Sequence, residues 1–153
     1  MKTGLVRNIL VAMDGSAVAQ KASTYAVELA EKLGASVILL SVIDNTPYVG
    51  RTAIPEVATP THLIEPVEDY LRQAAVAYMA RIEKLCKKKK VISKSVIRIG
   101  SPVEEILKEG RRSKADLIVM GSQGRSAVGA ALLGSVAVGV VHRSQKIPVL
   151  IVR

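Results

Sequence analysis

Four short, almost purely aliphatic runs limit what this chain can become: Ile9–Met13, Val37–Ile43, Leu117–Met120 and Val149–Val152. A strand with one wet face alternates apolar and polar residues. These runs do not alternate, so each reads as a strand covered on both faces. A fifth run, Val91–Ile99, carries Ser93, Lys94, Ser95 and Arg98 and suits a sheet edge. Between the runs lie helical patterns. Ala22, Ala26, Leu29, Ala30 and Leu33 fall on one helix face, and Leu71, Ala75, Met79, Ile82 and Cys86 on another. The second pattern extends from His62 to about Lys90, with Pro66 expected in its first turn. Strand and helix thus alternate along the chain, which predicts an α/β architecture with about five parallel strands. Hydrophobic residues make up 49% of the 153, and Phe and Trp are absent, so Val, Ile, Leu and Ala must build the core. One domain over 1–153 is expected, and a chain of this size buries roughly 68–70% of its unfolded surface without staples.

Punctuation supports these boundaries. Asp14-Gly15-Ser16 ends the first strand, with Ser16 as N-cap of the helix that Gly34 stops. Ser101 and Glu104 have capping-box spacing, with Pro102 at the first helical position and the helix ending near Arg112. The stretch from Asp44 to about Thr61 carries Pro47, Pro55 and Pro60. A loop that long inside a compact domain is often functional. Two readings stand equally: a lid over a site at the Asp14 end of the sheet, or an insertion with no role in binding.

The most informative segment is Leu117 to Val136. A strand leads to Gly121 and Gly124, three apart; after nine intervening residues comes Gly134, then Ser135 and a helical pattern to about Ser144. A glycine-rich loop entering a helix turns backbone N–H groups toward one anion, and the helix adds its positive dipole end. Phosphate is the natural candidate.

This pattern, G-x2-G-x9-G-[S/T], resembles the nucleotide-binding motif of the universal stress protein family. Three further stretches resemble that family in the same order: Asn8-Ile-Leu-Val-Ala-Met-Asp-Gly-Ser16; Gly100-Ser-Pro-Val-Glu-Glu-Ile106 with Ala115-Asp-Leu-Ile-Val-Met-Gly121; and Ile147-Pro-Val-Leu-Ile-Val152. Two positions depart from the family's usual residues: Ala12-Met13, often a proline-valine pair, and Gln123, often His or Arg. The resemblance implies a doubly wound three-layer sandwich of the adenine nucleotide alpha-hydrolase type, its five-stranded parallel sheet in the order 3-2-1-4-5. It places ATP, or else ADP or AMP, between strands one and four. Ala12, Met13 and Asp14 would run along the adenosine, with Asp14 accepting a ribose hydroxyl. Val42 would meet adenine through its backbone, and Met120 would line the base or sugar. Gln123 falls where the family contacts phosphate or its metal, and Mg2+ or Mn2+ would arrive with the nucleotide.

Other roles follow from the residues themselves. Gly121 and Gly124 are expected to let backbone approach phosphate unobstructed. Gly134, Ser135, Val136 and Ala137 form a helix start whose N–H groups point at it, and the Ser135 hydroxyl adds a donor. Arg125 either offsets phosphate charge or faces outward. For Asp14 the competing reading is a turn former or helix cap.

In the implied order the fifth strand is an edge, and Val149-Leu-Ile-Val152 is too apolar to leave open. Its cover is either a second copy across a two-fold axis, a homodimer through strand 148–152 as the family commonly forms, or helices and tail of the same chain.

The remaining composition narrows function. The net charge is +9, but no aromatic residues interleave with the basic ones, so specific nucleic-acid binding is not expected. Lys87–Lys90 complements a helix dipole and can simply be solvated. Cys86, the single cysteine, excludes an internal disulfide and reads as an ordinary partly buried thiol beside the reactive alternative. No signal peptide or membrane span is evident, so a cytoplasmic location is expected. Rival phosphate motifs fail: Gly129-Ala-Ala-Leu-Leu-Gly-Ser135 has Walker A spacing without its lysine, and no G-x-G-x-x-G follows the first strand. His62 and His142 form no catalytic pattern, His142 suiting a helix end. The expected function is an ATP-binding, nucleotide-controlled switch in stress response. A slow ATPase or phosphotransferase of the same fold, and a nucleotide-free interaction dimer, are the alternatives.

Overall fold

The structure is a computed structural model that describes residues 4–45, 61–124 and 133–153, with side chains of residues 61–65 left aside. The strands are β1 (Asn8–Met13), β2 (Ser36–Ile43), β3 (Ser93–Ile99), β4 (Leu117–Gly121) and β5 (Val149–Val152). The described helices are α1 (Ala17–Leu33), α2 (Thr61–Lys88), α3 (Pro102–Arg112) and α4 (Ser135–Arg143). All strand pairs are parallel, and the order is β3-β2-β1-β4-β5, as expected.

The aliphatic runs are two-faced, and the strand period of two sorts them. Ile9, Val11, Met13, Val37 and Leu39 face α1 and α2, where Ala22, Ala26, Ala30, Ala75, Met79 and Ile82 pack. Leu10, Ile38, Leu40, Ile118 and Met120 face the other way, onto Ile106 and Leu107 of α3 and Ala137 and Val140 of α4. Three layers result, α1–α2, sheet, α3–α4. Small alanines on α1 let its axis lie close to the sheet. The crossovers from β1 to β2 and from β3 to β4 therefore use opposite faces, and the connections diverge between β1 and β4.

The caps of α1 match their sequence signals. Ser16 Oγ accepts the Ala19 amide at 3.1 Å, and Gly34 closes the helix at φ 66° with its N–H on the Ala30 carbonyl. The capping box on α3 does not form. Ser101 is the N-cap with Pro102 behind it, but its hydroxyl makes no capping hydrogen bond. Pro66 lies inside α2 rather than in its first turn, because the helix starts at Thr61. The third strand begins at Ser93, two residues later than its pattern suggests. Lys90 turns left-handed at φ 57°, and buried Val91 serves to close α2, donating its N–H to the Cys86 carbonyl at 2.9 Å.

Cys86 is fully buried, not partly, and burial pushes its thiol above the ordinary range. That favours the inert reading over the reactive one. β3 is an edge in fact: Lys94 and Ser95 are exposed, Ser95 is hydrogen-bonded to Glu83, and Arg98 Nε pairs with buried Glu109 at 3.0 Å. Among the described residues no helix is long and apolar enough to cross a membrane.

Candidate functional site

The connections of a doubly wound sheet leave a crevice at the carboxyl ends of its strands, at the switch point between β1 and β4. A cavity of about 550 Å³ occupies that place. This is within the roughly 300–1,000 Å³ typical of small-molecule sites. Its floor is the ends of β1, β2 and β4, contributed by Ala12, Met13, Val42, Met120 and Gly121. One wall is the start of α4, with Gly134, Ser135, Val136 and Ala137; Asp14, Gln123 and Gly124 border it as well. Every described residue expected at the site thus lines one cavity. Arg125 lies outside the described residues, as do 46–60 of the long loop and 125–132 of the glycine segment.

Asp14 and the glycine loop meet directly. A Cβ added to Gly124 would stand 2.7 Å from Asp14 Oδ2. No side chain fits there without displacing the carboxylate. Asp14 also performs the structural task weighed against binding: its Oδ1 accepts the Ser16 amide at 2.9 Å, an Asx turn leading into α1. One oxygen thus braces the turn while the other lies against Gly124. The two readings of Asp14 are compatible.

Gly121 has a further reason beside the one its motif suggests. Its missing Cβ would lie 2.8 Å from Val18 Cγ1 and 3.2 Å from the Ala19 nitrogen. The glycine makes room for the first turn of α1, and its backbone also borders the cavity. Gly134 is equally close to its own chain. A Cβ there would be 3.3 Å from the Gln123 Cα, and the Gly134 amide donates to the Ser122 carbonyl at 2.6 Å. The two ends of the glycine segment are thereby pinned together at the head of α4. Ser122 in turn donates its amide to the Val152 carbonyl, tying the loop to β5.

The rest of the cavity is a lobe that periodicity did not single out. Leu40, Leu71, Pro102, Ile106 and Leu133 line it, with Ser41, Asp44 and Tyr78 as its polar members. Ser41 is almost fully buried, and its hydroxyl is hydrogen-bonded to the Tyr78 hydroxyl. Both left a mark in the sequence. Ser41 is the one polar residue in the run Val37–Ile43, and Tyr78 falls on the apolar face of α2 between Ala75 and Ile82. The cavity is therefore mainly apolar toward β2, α2 and α3, with Ser41 and Tyr78 as polar exceptions, and is bordered toward β4 and α4 by Gly121, Gly124 and the amino end of α4. Among the described residues no group of three or more His, Cys, Asp and Glu side chains is placed to hold a metal ion.

Such a cavity at the switch point of a 3-2-1-4-5 parallel sheet defines a doubly wound α/β protein. The chain belongs to the universal stress protein family, whose profile matches residues 6–153. It is 30% identical over 149 residues to universal stress protein MJ0531 of Methanocaldococcus jannaschii, covering 97% of this chain and 83% of that protein. Among solved structures it resembles MJ0577, a protein of the same organism, with TM-score 0.78 and 27% identity over 97% of this chain and 96% of the other. A universal stress protein solved in complex with cAMP shares the fold, with TM-score 0.65 and 23% identity over 97% of both chains.

Proposed function

We propose that the chain is an ATP-binding universal stress protein that works as a nucleotide-controlled switch. The observation that carries this reading is the meeting of Asp14 with Gly124 across the switch point, beneath the amino end of α4. The residues fit an adenine nucleotide. The apolar lobe around Val42, Leu40 and Met120 suits a base, and Asp14 is a carboxylate where a ribose would lie. The Gly124 backbone and the Ser135–Ala137 start of α4, with the Ser135 hydroxyl, suit phosphates, while the Gly134 amide is engaged with the Ser122 carbonyl. That a universal stress protein of this fold was solved with cAMP supports the reading at the level of the fold. The triphosphate supplies concentrated negative charge that an oriented set of N–H donors at a helix start can hold. Mg2+ or Mn2+ would ride on its oxygens, with Gln123 nearby. Hydrolysis is expected to be slow or absent, and the site to be cytoplasmic.

The test is to denature freshly purified protein and chromatograph what it releases. Stoichiometric adenine nucleotide is expected. Protein that releases none and shows no thermal shift with Mg-ATP would instead be a nucleotide-free interaction dimer. Phosphate release above a Gly124→Val control would mark a slow hydrolase.

We further propose a homodimer through β5. The carbonyls of Pro148 and Val152 accept from Ile118 and Ser122 of β4, so the alternate residues Val149 and Ile151 turn their backbone groups outward. Beside this edge Val138 and Val141 of α4 are exposed. Ile151→Pro removes one outward N–H and leaves the β4 ladder intact. Sedimentation should show it as a monomer; an unchanged dimer would put the interface elsewhere.

A further inference from the structure

We propose that the amino end of the sheet, opposite the cavity, is a docking face for an anionic lipid bilayer. Because every strand is parallel, every described helix ends there. Their last turns carry cations: Lys32 in α1, Lys87 and Lys88 in α2, Arg111 and Arg112 in α3, and Arg143 in α4. Lys90 and Lys114 extend the set from left-handed turns at φ 57° and 52°. Some of these charges are already paired, Arg112 Nη1 with buried Glu109 at 2.9 Å among them. Glu31 pairs with Lys89 at 2.8 Å, with Glu28 beside it, and Asp116 Oδ2 accepts the Arg7 and Asn8 amides at 2.9 and 3.0 Å. Asp116 and Glu28 keep their negative charge, but the remaining lysines and arginines of the helix ends outnumber them and leave this end net positive.

Cations alone would be only a solvated face. The second observation is apolar. Leu5 is 95% exposed, Ile92 67% and Leu33 44%, and all three lie at this same end. Their segments are neighbours at the starts of the strands. A Cβ on Gly4 would be 3.8 Å from the Leu33 carbonyl, Ser36 donates to the Arg7 carbonyl at 2.8 Å, and Val37 donates to that of Ile92 at 2.9 Å. Large aliphatic side chains set among lysines and arginines match the two-signal attachment of peripheral proteins. Basic residues draw the protein to anionic headgroups, and leucine and isoleucine enter the acyl boundary. A duplex would engage the cations through its phosphates but takes aliphatic side chains only by unstacking base steps, each at an energetic cost, and there is no aromatic platform for single strands. Docking this way holds the cavity toward solvent.

The test is sedimentation of the full chain with phosphatidylcholine vesicles, with and without phosphatidylglycerol, at low salt. Partition should require the anionic lipid. Lys32→Gln with Lys90→Gln should weaken it about 25-fold, roughly fivefold per charge near the surface. Leu5→Ser with Ile92→Ser should weaken it about tenfold through lost insertion. Val76→Ser, at an exposed apolar site in the middle of α2, should leave it unchanged; a matching loss there would overturn the face assignment. No partition, or equal partition onto neutral vesicles, overturns the proposal. So does unaltered binding by the Leu5/Ile92 variant together with displacement by duplex DNA, which assigns the cations to nucleic acid.

Discussion

The two ends of the sheet are built by opposite rules. At the amino end the chain turns tightly and satisfies itself: Gly34 and Ala35 link α1 to β2, residues 89–92 link α2 to β3, and residues 113–116 link α3 to β4. There Asp116 accepts two backbone amides, and Asn8 Nδ2 donates to the Lys114 carbonyl at 3.2 Å. At the carboxyl end the connections after β2 and β4 are long, and glycines stand where backbone meets backbone or carboxylate. One end closes its polar groups by hydrogen bonds between neighbouring turns; the other leaves a cavity. A parallel sheet thus separates anchoring from binding by direction alone, since helix N-termini gather at one end and C-termini at the other.

Four changes sharpen or break this contrast. The largest effect belongs to Gly134→Val. If the carboxyl end holds nucleotide, ATP at one hundred times its dissociation constant adds about 2.7 kcal/mol to wild type and nothing to this variant. Retained stabilisation by thermal shift would remove the glycine segment from the site. Next is Gly121→Ala. Its Cβ presses on Val18 and Ala19 of α1, and overpacking of this kind costs about 1–3 kcal/mol. Urea melts should show that loss with or without ATP. Asp116→Ala at the opposite end strips the acceptor from two amides and should cost about 1–2 kcal/mol. Its ATP increment should stay that of wild type; a reduced increment would mean the ends are coupled. The smallest effect is from Cys86. Its thiol is raised in the folded state, so the unfolded chain releases that proton first as pH climbs past the ordinary value of 9.0. The stability it contributes is complete below that pH and declines above it. Cys86→Ala would also open a cavity, so Cys86→Val compared by melting between pH 8 and 10 is the cleaner check, and its slope should be shallower than wild type's.

Much of this was readable from residue order because parallel strands covered on both faces must be continuous aliphatic runs. Ile9–Met13 and Val37–Ile43 therefore announced themselves, and the polar interruptions at Ser93, Lys94 and Ser95 marked the edge. The resemblance supplied strand order, which no periodicity encodes. Sequence reasoning fell short where the cause lies across space. Gly121 was legible as a glycine of the loop motif, but not its close packing on Val18 of a helix that precedes it by about a hundred residues. Ser101 and Glu104 had the right spacing for a capping box, yet spacing says nothing of side-chain direction, and the hydroxyl does not cap. Ser41 and Tyr78 escaped because each looks like a minor blemish in its own segment. Only the packing of α2 over β2 joins them at the cavity.

The central place of β1 has a consequence for the order in which the protein assembles. Its pairing with β2 needs only the intervening α1, whereas its pairing with β4 brings together segments such as Asn8 and Asp116, 108 positions apart. Closing the longer loop costs more chain entropy and waits for more contacts to repay it. On a ribosome, β1, α1 and β2 can be paired while β4 is still unsynthesised. The crevice between β1 and β4 does not exist until that last partner arrives, so anything bound there can reward only the finished molecule and cannot guide the first half to fold.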